Sequence, residues 1–190
     1  MAEKLGTKIR CIGIDFADPI TNKEGVASAN FVEQMLTLRD DELVITPGDV
    51  TETRVQSHEN DIDEDYDAIG SGRTASGSFI KASMEQLKEL LGGEVVGTGD
   101  NAMYLKSGKL PILNKAIRFR LKGGGAIIIP NARGYVDIDA NLGATNGMLK
   151  CPFKFSSLAQ PGFDCDLIIQ AKIPTTQTTK TAVQTEKAPK

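Results

Sequence analysis

Residues 112–129 read ILNKAIRFRLKGGGAIII, and this stretch decides the fold class. Ile117, Phe119 and Leu121 alternate with Arg118 and Arg120, the period-two pattern of a strand with one buried face. Gly123-Gly124-Gly125 makes a turn, and Ala126-Ile127-Ile128-Ile129 returns as a second apolar strand. Pro130-Asn131-Ala132-Arg133-Gly134 is expected to interrupt the pairing, because proline cannot donate to a ladder. Tyr135, Val136, Ile138 and Leu142 then continue it, and Gly143-Ala144-Thr145-Asn146-Gly147 ends in an Asn-Gly hairpin step. Met148–Phe155 and Phe163–Ile173 supply two closing strands around the Pro161-Gly162 turn.

Upstream, KIRCIGIDF (8–16) alternates in the same way, and the polar residues 17–30 read as a loop. Phe31–Leu38 fits both a helical face (Phe31, Val32, Met35, Leu36) and a pairing strand. Leu43-Val44-Ile45 runs into a turn at Thr46-Pro47-Gly48-Asp49, and VTETRVQS (50–57) alternates again with β-branched residues. Six of the nine residues Glu59–Asp67 are acidic, and the run continues into Gly70-Ser71-Gly72-Arg73. That composition predicts a long charged loop over 59–74. Ala75–Ala82 reads as a short strand. One helix follows over about 83–92, where Ser83 caps, Gln86 completes a capping box, and Met84, Leu87, Leu90 and Leu91 share a face. Gly92 and Gly93 end it.

The fold class is therefore mainly β: an antiparallel β-sandwich or barrel of about seven short strands, with one flanking helix and a long acidic loop. Residues 1–173 are expected to form a single domain, which 190 residues can supply without staples. The threonine-rich segment 174–190 reads as a disordered tail.

Composition excludes several functions. A formal charge of −3 does not suit a protein built to neutralise nucleic-acid phosphates. No apolar run approaches the roughly 20 residues of a membrane span, and Met1–Gly6 carries no secretory core. Cys11, Cys151 and Cys165 form no C-x-x-C pair, and with His58 as the lone histidine a zinc site would need carboxylates. Cys11 and Cys165 stand in apolar runs and are expected to act as small buried hydrophobes, with a reducing compartment the best fit.

Catalytic patterns are likewise missing. Ser57, Ser71, Ser76 and Ser78 lie near His58 in sequence, but none sits in a nucleophile elbow. The glycine runs lack the dinucleotide spacing, and Gly108-Lys109 has Met103 where a P-loop needs glycine. An EF-hand starting at Asp61 would place Tyr66 and Gly72 where it requires glycine and glutamate. An irregular calcium site in 59–67 stays open. With it stays the reading of a monomeric calcium-dependent or carbohydrate-recognising β-sandwich module.

The order of segments resembles a known family. LVITPGDVTET (43–53), the acidic run 59–67, GSGRTASGSF (70–79), the helix 83–92 and the late hairpin Ile117–Ile138 follow one another as in the major tail tube proteins of long-tailed bacteriophages. The layout is also similar to tube proteins of related injection machines. It covers about residues 43–173 and rests on segment order, and Lys8–Asp41 and the tail find no counterpart.

The resemblance implies a two-sheet sandwich with a flanking helix, six copies to a ring, inner sheets joined into a barrel, and rings stacked into a hollow tube. It implies a virion protein, assembled in the host bacterial cytoplasm, with no enzymatic activity, cofactor or metal. Its partners would be other copies of itself and the tape measure, terminator and distal tail proteins, with DNA passing through unbound. A distal tail protein or tube terminator of the same fold is the related alternative. The bridging loop of the family matches 59–74, so Glu59, Asp61, Asp63, Glu64, Asp65, Tyr66, Asp67 and Arg73 are the expected inter-subunit residues. Arg54, Lys81 and Arg73 of a neighbour are their expected basic partners, a docking role favoured over repulsion of DNA from the lumen.

Overall fold

The structure, a computed structural model, describes residues 9–39, 43–57, 60–70, 72–143, 147–160 and 162–174. In chain order the first elements are β1 (Cys11–Ala17), α1 (Lys23–Ser28), β2 (Val32–Glu33), β3 (Leu36–Thr37), β4 (Val44–Pro47), β5 (Val50–Ser57), β6 (Asn60–Gly70) and β7 (Arg73–Ile80). Then come α2 (Met84–Leu91), β8 (Glu94–Val96), a 3₁₀ turn at Gly99–Asn101, β9 (Met103–Leu105) and β10 (Leu113–Leu121). The last are β11 (Ala126–Val136), β12 (Asp139–Ala140), β13 (Leu149–Ser157) and β14 (Ile168–Gln170). The protein is mainly β and all its strand pairs are antiparallel among the described residues.

The main sheet runs β2-β1-β10-β11-β13-β7-β3, and it folds over into two layers at β11. The first half of β11 lies between β10 and β14, and its second half pairs with β13. Ile14 and Phe16 of β1 and Ile117 and Phe119 of β10 pack across the sandwich on Phe79, Phe153 and Phe155. Phe16 meets Phe155 edge-on at 5.4 Å and Phe79 at 6.1 Å, which locks the layers in register by ring geometry as well as area. The ladder stops short of a closed barrel, since β2 pairs with β1 and β3 with β7 but not with each other. Gln34 and Met35, both buried, carry the chain between those two edges.

Several expectations change. β11 runs unbroken through Pro130, because a bulge opposite Ala116 falls there and its missing N–H is not called on. The Pro130 carbonyl instead accepts from Ile20 N–H at 2.9 Å. Gly134 is fixed by contact: a Cβ there would stand 2.0 Å from the Lys154 carbonyl oxygen. A second helix, α1, occupies part of the expected loop 17–30, started by Asn22, whose side chain accepts from Gly25 N–H at 2.6 Å. The ambiguous stretch 31–38 is extended, and the hairpin β8–β9 was not legible. Of Phe163–Ile173 only Ile168–Gln170 is strand. The expected tail, from 175 onward, lies outside the described residues.

α2 is where it was expected. Ser83 accepts from Gln86 N–H while the Gln86 side chain accepts from Ser83 N–H, so both halves of the capping box form. Leu87, Leu90 and Leu91 are buried against the sandwich, and an eight-residue helix depends on that burial for its stability. Ser83→Ala removes one cap acceptor and is expected to lower stability by about 1 kcal/mol in urea unfolding. A loss near zero would mean that docking alone defines the helix start.

Cys151 is the one fully buried cysteine, and Cys11 and Cys165 are half-buried. Burial pushes the Cys151 thiol up, with Asp137 adding to the effect. A thiol reagent at neutral pH is expected to leave Cys151 unmodified in the folded protein and to reach it only in denaturant, as read by mass spectrometry. Rapid labelling without denaturant would show that the two layers open.

Candidate assembly interface

The acidic run is strand rather than loop. β4 pairs with β7 from Val44↔Ser76 to Pro47↔Arg73, and β5 pairs with β6 from Val50↔Gly70 to Val55↔Asp65. Between the two ladders Gly48 N–H donates to the Gly72 carbonyl at 2.5 Å, in the same register. β4–β5 and β6–β7 are therefore the two sides of one long hairpin, rooted in the main sheet through β7 and β13. Its outer part, β5–β6, pairs with no other strand among the described residues. From Gly48 to Ser57 this arm extends about 33 Å at roughly 3.3 Å per residue.

The charge of 59–67 predicts a loop, whereas Asn60–Gly70 is strand. Charge reports contact with solvent, whereas pairing needs only backbone groups, and Val50, Thr51, Thr53 and Val55 supply the β-branched partner strand. An antiparallel ladder is held by backbone groups, so acids along β6 do not prevent its pairing with β5.

The expected site residues fall into three groups. Asp61, Asp63, Glu64, Asp65, Tyr66 and Asp67 all lie on β6, with Asp67 opposite Thr53, Tyr66 opposite Arg54 and Asp65 opposite Val55. Glu59, like His58, lies outside the described residues. The three basic candidates occupy different places. Arg54 stands on the arm itself and pairs with Glu52 at 2.9 Å. Arg73 stands at the arm's root, where its Nε donates to Asp166 at 2.7 Å and its backbone N–H donates to Ser157 Oγ at 2.8 Å. Lys81 follows β7 on the way to α2, at a left-handed φ of 56°. Arg54 and Arg73 are thus engaged within their own chain.

The root is a groove of about 810 Å³ between Pro47, Gly48 and Val50, Gly72-Arg73, and residues 157–160 and 162–166. Gly72 holds φ at 87°, and a Cβ there would meet Ser157 Oγ at 2.7 Å. The root is therefore fitted tightly by a glycine, one ion pair and one backbone hydrogen bond.

Other surfaces offer contact area. Val96, Met103 and Leu105 of β8–β9 are exposed apolar side chains beside Glu94. Below them Tyr104 OH donates to the Gly92 carbonyl at 2.6 Å, and Lys106 pairs with Asp137 at 3.0 Å. The Ile138 N–H and Lys106 hold the Asp137 carboxyl below its ordinary range. Among the described residues β4 and β14 each pair with one neighbour only, leaving an edge of each open there. No group of three or more metal-ligating side chains occurs among the described residues, and no helix there is long and apolar enough to cross a membrane. No protein-family model and no curated protein matches the chain.

Proposed function

We propose that the chain is a non-enzymatic structural subunit that assembles with copies of itself into six-membered rings, stacked as a hollow tube of the phage tail type. The observation that carries the reading is the arm: a ribbon about 33 Å long, continuous with the sheet and, among the described residues, paired with no other strand. A lone two-stranded ribbon is marginal in water, so a long one kept in register is a structure prepared for a partner. Open edges at β4 and β14 add to this, since a ring closed head to tail covers such edges in every copy.

In this role the protein belongs to a virion tail put together in the host cytoplasm. It would meet tape measure, terminator and distal tail proteins at its ends, and DNA would pass through without specific contacts. The acid-rich arm serves docking between copies. Strand geometry weighs against the calcium module: alternate residues of β6 stand about 6.6 Å apart. A calcium site gathers about six to eight oxygens at roughly 2.3–2.6 Å, which needs a curled backbone.

Sedimentation across a concentration series, with and without calcium, tests the proposal. The tube reading predicts a concentration-dependent shift to large species that calcium leaves unchanged. A monomer at every concentration, stabilised by calcium, would replace it with the recognition module.

A further inference from the structure

Two of the three basic residues expected to receive the arm are already engaged within the chain, so the receiving surface lies elsewhere. The two layers of the sandwich differ on their outer sides. Outside the β1–β10 layer, Ile20, Phe31 and Phe163 cover Ala116, Ala126 and Ile128 in a second buried cluster. On the β7–β13–β11 layer the outward positions are open at β11 and β13 and close towards β7, where Ser78 is buried. Register defines that face: Arg133 lies opposite Ser156, Tyr135 opposite Lys154, Lys154 opposite Ser76, and Ser156 opposite Thr74. Arg133, Tyr135, Lys154 and Ser156 are exposed, and these pairs include no carboxylate. Neither Arg133 nor Lys154 has an ion-pair partner among the described residues.

We propose, resting on the tube reading, that this exposed face of β11 and β13, with Arg133 and Lys154 at its centre, receives the acidic arm of a second copy. Charge complementarity selects the occupant. Arg133 and Lys154 are diagonal neighbours, which sets them about 7–8 Å apart across the ladder. Asp61, Asp63, Asp65 and Asp67 occupy alternate positions of β6 and recur every 6.6 Å or so along it. An extended acidic strand laid across the face therefore meets each cation in turn. The arm prolongs its own β4 and β7 in register, so it offers this charge to another molecule rather than to its own sheet. Nucleic acid is the weaker occupant, because two cations on a chain of charge −3 give a shallow electrostatic footprint.

Charge exchange tests the proposal on the full chain. Arg133→Glu with Lys154→Glu is expected to lower the sedimenting assembled fraction by at least about tenfold, since like charges would face across the contact. The thermal melting of the monomer is expected to be unchanged, because both side chains are solvent-facing. Adding Asp63→Lys and Asp65→Lys to that variant is expected to restore assembly, which loss of fold could not do. If the doubly reversed face assembles as well as the parent, the face is not the receptor and the proposal fails while the tube reading stands. If the parent chain never assembles, both fail together. If assembly is unchanged and the variant instead loses binding to a labelled single-stranded oligonucleotide, the face serves nucleic acid and the proposal is overturned.

Discussion

A chain in which Asp61, Asp63 and Asp65 are all replaced by Ser is expected to fold normally and to remain small where the parent chain grows into tubes. The three residues alternate along β6, a strand that among the described residues pairs only with β5. Serine keeps every backbone group of the ladder, and these substitutions on a strand outside the main sheet are expected to shift stability by no more than about 0.5 kcal/mol. The change in assembly is of another size. Each growing end gains a subunit through contacts repeated around a ring, so a small loss per contact is multiplied by symmetry. The concentration needed for growth is expected to rise more than about tenfold, steepest at low salt where unscreened charges act furthest. The checks are the pelletable fraction against concentration, with melting by circular dichroism beside it. Normal growth of the triple variant would show that the acids do not dock.

The largest expected effect on folding lies at Asp15. Asp15 and Arg118 face each other directly across β1 and β10, and both side chains are 0% exposed. Arg118 holds the carboxylate through Nη2 at 2.7 Å and Nε at 2.8 Å, and its guanidinium lies 4.1 Å over the Phe31 ring. Arg120 Nε stands 3.1 Å from the other oxygen, off the line of a hydrogen bond, while its Nη2 pairs with Glu33. Burial pushes the Asp15 carboxyl up, against the pull of Arg118 and then Arg120. Asp15→Ala leaves the Arg118 charge buried with its main partner gone, and is expected to cost about 3–5 kcal/mol in denaturant unfolding. Replacing both together, Asp15→Leu with Arg118→Met, is expected to recover most of that loss, since the charge leaves with its partner. A cost under about 1 kcal/mol for Asp15→Ala would show that water reaches the pair.

These two sites mark what the sequence could and could not show. Ser83 and Gln86 define α2 by local chemistry, and the alternation around Ile117 and Phe119 defines β10, so both are legible. Asp15 and Arg118 occupy positions that alternate with the core, and by pattern they face solvent. They are buried because Phe31 covers them and because their partners are 103 residues apart in the chain, which no local pattern records. The arm is illegible for the opposite reason. Its charge was plain, but β pairing in a solvated ribbon is carried by the backbone, whose register with β5 leaves little trace in side-chain type. Arg133 and Lys154 left a faint signal. They stand at the outward positions of strands whose inward positions are Ala132, Phe153 and Phe155, and they became a pair only when β11 met β13.

Negative-stain electron microscopy of the purified chain, at low and high concentration and with and without calcium, tests the central claim most directly. The account predicts stacked rings or hollow tubes at high concentration, the same whether or not calcium is present. Uniform small particles at every concentration, binding calcium and stabilised by it, would contradict it.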